Sequence, residues 1–146
     1  MGHNMQKYPA RFDPADEGGY TVTFRDIPEA ITQGDDLAEA EAMARDALVS
    51  AMEFYFEAGR EVPAPSKALK GEHIVELPPS VAAKVALLNA RLATGARPAD
   101  VARTMGCKAQ EMTRVFDLHH PTKIDTLAAA LAAMGYELEL SIRRIK

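Results

Sequence analysis

Lys108, Gln110, Thr113 and Arg114 lie within the stretch "RPADVARTMGCKAQEMTRVFDL", and their side chains are of the types that read nucleic-acid bases and phosphates. Lys and Arg pair with guanine and Gln with adenine, and each good bidentate contact discriminates against the wrong base by about 1–3 kcal/mol. The residues around them have the spacing of a scaffold. Pro98 suits a first helical position, where its missing N–H costs nothing. Val101, Ala102 and Met105 form one apolar stripe, and Met112, Val115 and Phe116 form a second. Between the stripes Gly106 is free to take a positive φ, and the small Ala102 lets two helices cross closely, as a helix-turn-helix requires. The pattern predicts a recognition helix over about 109–117 with Lys108, Gln110, Thr113 and Arg114 outward, and Arg103 and Lys123 as phosphate contacts.

The other chemistry open to this chain is that of carboxylates. Asp13, Glu17 and Asp26 are conceivable ligands of a two-metal nuclease centre. The first two, however, belong to "DPADEGG", turn-forming sequence in which acidic residues are expected without any metal. His119 and His120 are adjacent rather than a helical turn apart, and His73 stands alone. Cys107 follows the turn glycine, where a small packed side chain is wanted, and as the single cysteine it forms neither an internal disulfide nor a zinc site. No Gly-rich phosphate loop, nucleophile elbow or His-Glu-x-x-His occurs. The expectation is no enzyme, no metal and no cofactor.

These residues need elements to hold them, and 146 residues, 47% of them apolar, suffice for one domain or two small ones with a real core. No apolar run approaches the roughly 18 residues of a membrane span, and "MGHNMQKYPA" lacks the apolar centre of a signal peptide. A cytoplasmic protein with no membrane partner is expected. Residues 1–3 read as an artificial extension ahead of a natural start at Met5. The net charge of −4 conceals an asymmetry: residues 1–78 hold 7 Lys and Arg against 15 Asp and Glu, net −8, whereas residues 79–146 hold 10 against 6, net +4. Halves of opposite sign suit different partners, the basic one being compatible with nucleic acid.

Along the first half, Tyr8, Ala10 and Phe12, then Tyr20, Val22 and Phe24, alternate with polar residues as half-buried strands do. "DPADEGG" between them makes an antiparallel hairpin, and Pro9, which has no N–H, marks its first strand as an edge or as bulged. A short strand over about 30–33 ends at Gly34. Asp36 with Glu39 then opens a helix in a capping-box manner, and Leu37, Ala40, Met43, Ala44, Ala47, Leu48, Ala51, Met52 and Tyr55 give it an apolar face up to Gly59. Its large apolar residues, Phe54 and Phe56 included, read as core, with a remainder available to a partner. "HIVELP" closes a β-β-β-α-β unit.

Past "LPPS" the pattern turns helical. Val81, Val85, Leu88 and Leu92 share one face of a helix ended by Gly95. After the opening stretch, Thr122 caps a helix over "KIDTLAAALAAM" that Gly135 terminates, and "YELELSIRRI" alternates like a strand whose partner must come from elsewhere, such as a second subunit.

Within "GGYTVTFRDIPEAITQGDDLAEAEAMARDAL", Gly18, Gly19 and Tyr20, then Phe24, Asp26 and Pro28, then Thr32, Gly34 and Asp35 fall in step with the motif of the HicB antitoxin family, which this chain resembles over about residues 6–142. Arg25 and Glu29 stand where that family has proline and glycine, and Asp36 where it has Thr. The C-terminal half is similar to the family's helix-turn-helix branch. The resemblance implies an α+β fold: an N-terminal β-β-β-α-β partial ribonuclease-H-like domain, residues 1–78, followed by an all-α helix-turn-helix domain with a C-terminal strand, residues 79–146. It further implies that the first domain covers the active site of a HicA-type toxin, a small basic mRNA-cleaving ribonuclease. The second, as a homodimer or homotetramer, would bind operator DNA and repress the shared operon. The acidic edge of Asp13, Asp16, Glu17 and Asp26 is the expected toxin face. The rival reading is a stand-alone transcriptional repressor whose N-terminal domain senses a small ligand.

Overall fold

The computed structural model describes residues 5–146, so the reading of residues 1–3 as an extension lies outside the described residues. The chain runs β1 (Lys7–Pro14), β2 (Tyr20–Thr23), β3 (Ile31–Gly34), α1 (Leu37–Ala58), β4 (Glu72–Glu76), α2 (Pro79–Thr94), α3 (Pro98–Met105), α4 (Ala109–Val115) and α5 (Ile124–Ala133). This is an α+β fold, and the β-β-β-α-β order followed by helices is the one expected.

The four strands form one antiparallel sheet in the order β3-β2-β1-β4, so β1 is central and not the edge that Pro9 suggested. The register explains how a proline is accommodated there. The Gln6 carbonyl accepts from Leu77 N–H beside the Lys7–Glu76 pair, so the hydrogen-bonded pairs with β4 fall at Tyr8 and Ala10. Pro9 therefore points its nitrogen toward β2, whose ladder begins only at Arg11. The missing donor interrupts nothing.

One face of the sheet is covered by α1. Tyr8, Ala10, Val22 and Val75 meet Ala40, Ala44, Leu48, Met52 and Tyr55 in a first core, where each large side chain contributes about 1.5–3 kcal/mol of burial free energy. Leu37 and Met43, expected on this face, remain exposed. Asp36 caps the helix through its carboxylate, which accepts from Glu39 N–H at 2.8 Å, while the Glu39 carboxylate turns back to the Asp35 amide. Two glycines of "GGY" and "QGDD" permit the close packing at this corner. A Cβ on Gly34 would run into the backbone of Ala40, and one on Gly19 into the carbonyl of Gly34.

A second core gathers Leu87 and Ala90 of α2 with Val101, Ala102, Met112, Val115, Leu127, Ala130 and Leu131 of the last three helices. The helix α2 serves both cores, since Val85 and Leu88 belong to the first, with Val81 and Leu92 packed against it. Periodicity showed the face toward the first core; the second face was masked by its small residues and by Lys84.

Two expectations for the C-terminal half need correcting. Helix α5 starts after Lys123, and Thr122 instead accepts a hydrogen bond from Lys84 and donates to the His120 carbonyl. The strand expected over "YELELSIRRI" does not form within the chain: residues 136–146 run without a ladder, because no neighbouring strand is present to supply one.

Candidate functional site

Helices α3 and α4 pack across a turn at Gly106, which takes φ +72° and donates its N–H to the end of α3. A Cβ there would meet nothing within 4 Å, so glycine is required by backbone conformation alone. At the start of α3 the Arg97 backbone N–H and guanidinium both donate to Asp100, a pairing that holds the Asp100 carboxyl down to about 2. Met112 and Val115 turn one side of α4 into the second core, which leaves Gln110, Thr113 and Arg114 exposed on the other, with Lys108 exposed at its N-cap. Thr113 donates back to the Ala109 carbonyl within its own helix. The side chains of Lys108, Gln110 and Arg114 have no partner among the described residues, and neither has that of Lys123, exposed just before α5. Arg103 is exposed on α3 with its guanidinium 3.5 Å from Asp100.

Lys84 is the residue that sequence reasoning missed. It lies on α2, is only 4% exposed, and donates to the carbonyls of Val115 at 2.5 Å and Arg114 at 3.3 Å and to the Thr122 hydroxyl at 2.9 Å. Three donors meet three acceptors, so the buried ammonium is satisfied. Its charge also faces the negative end of the α4 dipole. Burial lowers its pKa, partly offset by Asp117. The available signal was one lysine amid "VAAKVALL", with apolar neighbours on both sides.

The segment after α4 is fastened to the first core. Leu118 packs on that core, and the His119 ring lies 3.4 Å from the Glu53 carboxylate of α1. The Asn89 side chain of α2 bonds both the N–H and the carbonyl of Val62, at 2.9 and 3.0 Å, tying the loop after α1 to the same helix. Cys107 is half-buried and packs against the second core. Among the described residues no group of three His, Cys, Asp or Glu could hold a metal ion.

The acidic candidates separate into two kinds. Asp16 and Glu17, exposed in the β1–β2 loop, line a half-open hollow together with Tyr20, Gln33 and Asp35. Asp35, read in the sequence as part of the motif, was not among the expected toxin-face acids. Asp13 pairs with Arg11 at 3.1 Å, and Asp26 is occupied by Ser66, accepting from its N–H at 2.8 Å and its hydroxyl at 2.5 Å. Beside it Arg25 donates to Glu72 through two nitrogens and to the Lys67 carbonyl, which draws the Glu72 carboxyl below its usual range. Glu29 accepts a hydrogen bond from Tyr55, whose hydroxyl is pushed up to about 12 by burial first and by Glu29 second. Of the three departures from the motif, Arg25 and Glu29 thus both act in holding loops to the body, and Asp36 caps α1.

Similarity to known proteins runs along the whole of this architecture. The family model for HicB-like antitoxins of bacterial toxin-antitoxin systems matches residues 7–86. The chain is 54% identical to antitoxin HicB 2 of Photorhabdus laumondii over 96% of its own length and 98% of that protein's. It is 50% identical to antitoxin HicB of Escherichia coli strain K12 over 92% of its length and 97% of the relative's, and 32% identical to antitoxin HicB of Pseudomonas fluorescens over 86% of each.

Proposed function

The chain belongs to the HicB-like antitoxin family, and we propose that it neutralises a HicA-type toxin through residues 1–78 and represses its own operon through residues 79–146. The observation that carries this reading is the pairing of two opposite, unsatisfied surfaces on one body. Asp16, Glu17 and Asp35 stand without side-chain partners around a hollow of the sheet half, and Lys108, Gln110 and Arg114 stand without partners on α4 and its N-cap. Fixed acidic charge attracts a basic ribonuclease and competes with the phosphates it would otherwise hold, raising the encounter rate. Specificity then comes from shape at the interface, and inhibition from occlusion of the toxin's active site.

On the DNA side, α4 is the recognition helix of a helix-turn-helix, with Lys108, Gln110, Thr113 and Arg114 toward the bases and Arg103 and Lys123 toward phosphates. Lys84 positions it by binding the carbonyls at its end. Two such helices on a symmetric oligomer would read two half-sites about one DNA turn apart. Helix α2 links the two activities, since it contributes to both cores.

The test is to express the small open reading frame beside this gene alone and together with this chain, following growth and co-purification. Rescue with a stable complex is expected. A harmless neighbour, or a toxic one neither bound nor rescued, would overturn the antitoxin reading and make the ligand-sensing repressor the working hypothesis. Operator affinity should fall steeply with added salt, because each phosphate neutralised releases counterions, and a flat salt response would overturn the DNA assignment.

A further inference from the structure

Helix α4 is 7 residues long, too short to hold a helical conformation or a direction by its own hydrogen bonds, so its placement comes from what grips it. Met112 and Val115, one turn apart, seat one side of it on the second core. Two anchors so close together fix which face is buried and leave the tilt of the axis to contacts at the ends. At the N-terminal end those contacts are few: Lys108 provides no side-chain cap, and the Gly106 turn leads directly back to α3. The C-terminal end is gripped from two elements outside the turn. Lys84 of α2 donates to the carbonyls of Arg114 and Val115, and the guanidinium of Arg91, further along α2, lies over the Phe116 ring, 5.8 Å from its centre. Three residues past Val115 the chain has left the second core altogether: Leu118 packs against the first, and the His119 ring follows beside Glu53 of α1. Asp117 shapes the bend between them, its carboxylate accepting from the His119 N–H at 3.0 Å and its carbonyl from the His120 N–H at 3.2 Å. The chain then returns through Thr122, whose hydroxyl Lys84 holds, to α5.

We propose that residues 117–122 are a strap by which the sheet unit sets the tilt of α4, with Leu118 as the residue that positions it. Three residues of fully extended chain span at most about 11 Å, so the end of α4 stays close to the first core for as long as Leu118 is seated there. The sheet unit thereby takes part in reading DNA without contacting it. With the strap in place, Gln110, Thr113 and Arg114 are presented in one fixed register. With the strap loose, Met112 and Val115 still keep α4 on the second core, but its outward side chains lose that register. Contacts to base edges demand placement to within about 0.5 Å, whereas flexible Lys and Arg side chains reach phosphates from a range of positions. Loss of the strap therefore lowers affinity for the operator and spares non-specific DNA. The anchoring stands on the contacts alone, and only its consequence for DNA rests on the helix-turn-helix reading of α4.

The experiment compares the full chain with Leu118→Ser and with the conservative Leu118→Met in two measurements. The first is amide hydrogen exchange without DNA. Leu118→Ser should speed exchange at the Phe116 and Asp117 amides, which bond back to Met112 and Arg114, by about tenfold, while the amides of α3 and α5, which share the second core, keep their protection. The second is affinity for a duplex taken from immediately upstream of this gene and for a shuffled duplex of the same length and composition. Leu118→Ser should bind the upstream duplex about tenfold more weakly and the shuffled one as before, and Leu118→Met should recover both exchange and affinity. Unchanged exchange at Phe116 and Asp117, or faster exchange through α3, α4 and α5 together, would overturn the strap, the latter making Leu118 a general fold element. Equal loss on both duplexes, or undiminished affinity for the upstream one despite a loosened α4, would overturn its positioning role. An unaltered chain that does not discriminate between the duplexes would overturn the DNA reading instead, and the exchange result would then decide the strap by itself.

Discussion

The β2–β3 turn and α4 treat their charged residues in opposite ways. In that turn, charges are tied into the fold: Arg25 with Glu72, Asp26 with Ser66 and Glu29 with Tyr55. In the helical half the polar face of α4 is left unpartnered, and the one charge drawn inward, Lys84, holds the end of that helix. Neutralised charges fasten loops whereas free ones mark surfaces, so the count of charges in a region says less about binding than the count left without partners. Around the hollow of the β1–β2 loop, Asp16, Glu17 and Asp35 are the carboxylates left without side-chain partners.

The contrast is breakable at several points. The largest effect is expected at the corner where the hairpin, β3 and α1 converge: Gly34→Val forces a side chain into the Ala40 backbone and should cost on the order of 3 kcal/mol in urea denaturation. Lys84→Met keeps the buried stem and removes the donors to α4, for an expected loss of about 2 kcal/mol. Operator affinity should fall with it while toxin neutralisation persists, and equal loss of both activities would make the lysine a general fold element. Arg114→Ala should weaken operator binding by about 1–3 kcal/mol with stability changed by less than about 0.5 kcal/mol. If stability falls as far as affinity, α4 is structural and not a reading surface. Gly106→Ala meets no atom and suffers only the left-handed backbone, about 1–2 kcal/mol, so it should be milder than Gly34→Val despite occupying the turn itself.

The smallest effect concerns the start of α3. The Asp100 carboxyl is held to about 2 by Arg97, below the ordinary aspartate value of 3.8. A depressed folded-state pKa means stabilisation that is fully present above about 4 and lost as the pH falls from there through about 2. An Asp100→Asn variant should lose stability at neutral pH and show a smaller difference from the unaltered chain at pH 2. Carboxyl titration by NMR with an ordinary midpoint for Asp100 would contradict the pairing.

Much of this was legible in the sequence because it depends on neighbours close along the chain. The 3.6-residue period of α1, the positive-φ glycines at 59, 95, 106 and 135, and the outward face of α4 are local matters, and the structure places each where the pattern put it. Errors arose where a residue's role depends on a distant partner. Pro9 suggests an edge until the β4 register shows which way its nitrogen points. Thr122 is a cap by type, but Lys84, 38 residues away, claims its hydroxyl. Equally out of reach of a local reading is the tie between Asp26 and Ser66, 40 residues on.

By itself, then, the sequence determined the order of the four strands and five helices, the turn between α3 and α4, the split in charge and the family, all of which follow from backbone preference, periodicity, composition and motif. Only the tertiary structure decided which strand is central, that α2 is buried on two sides, and which polar groups are free to meet a partner. Those depend on desolvation and on hydrogen bonds closed between residues tens of positions apart, and a side chain's type does not record who satisfies it.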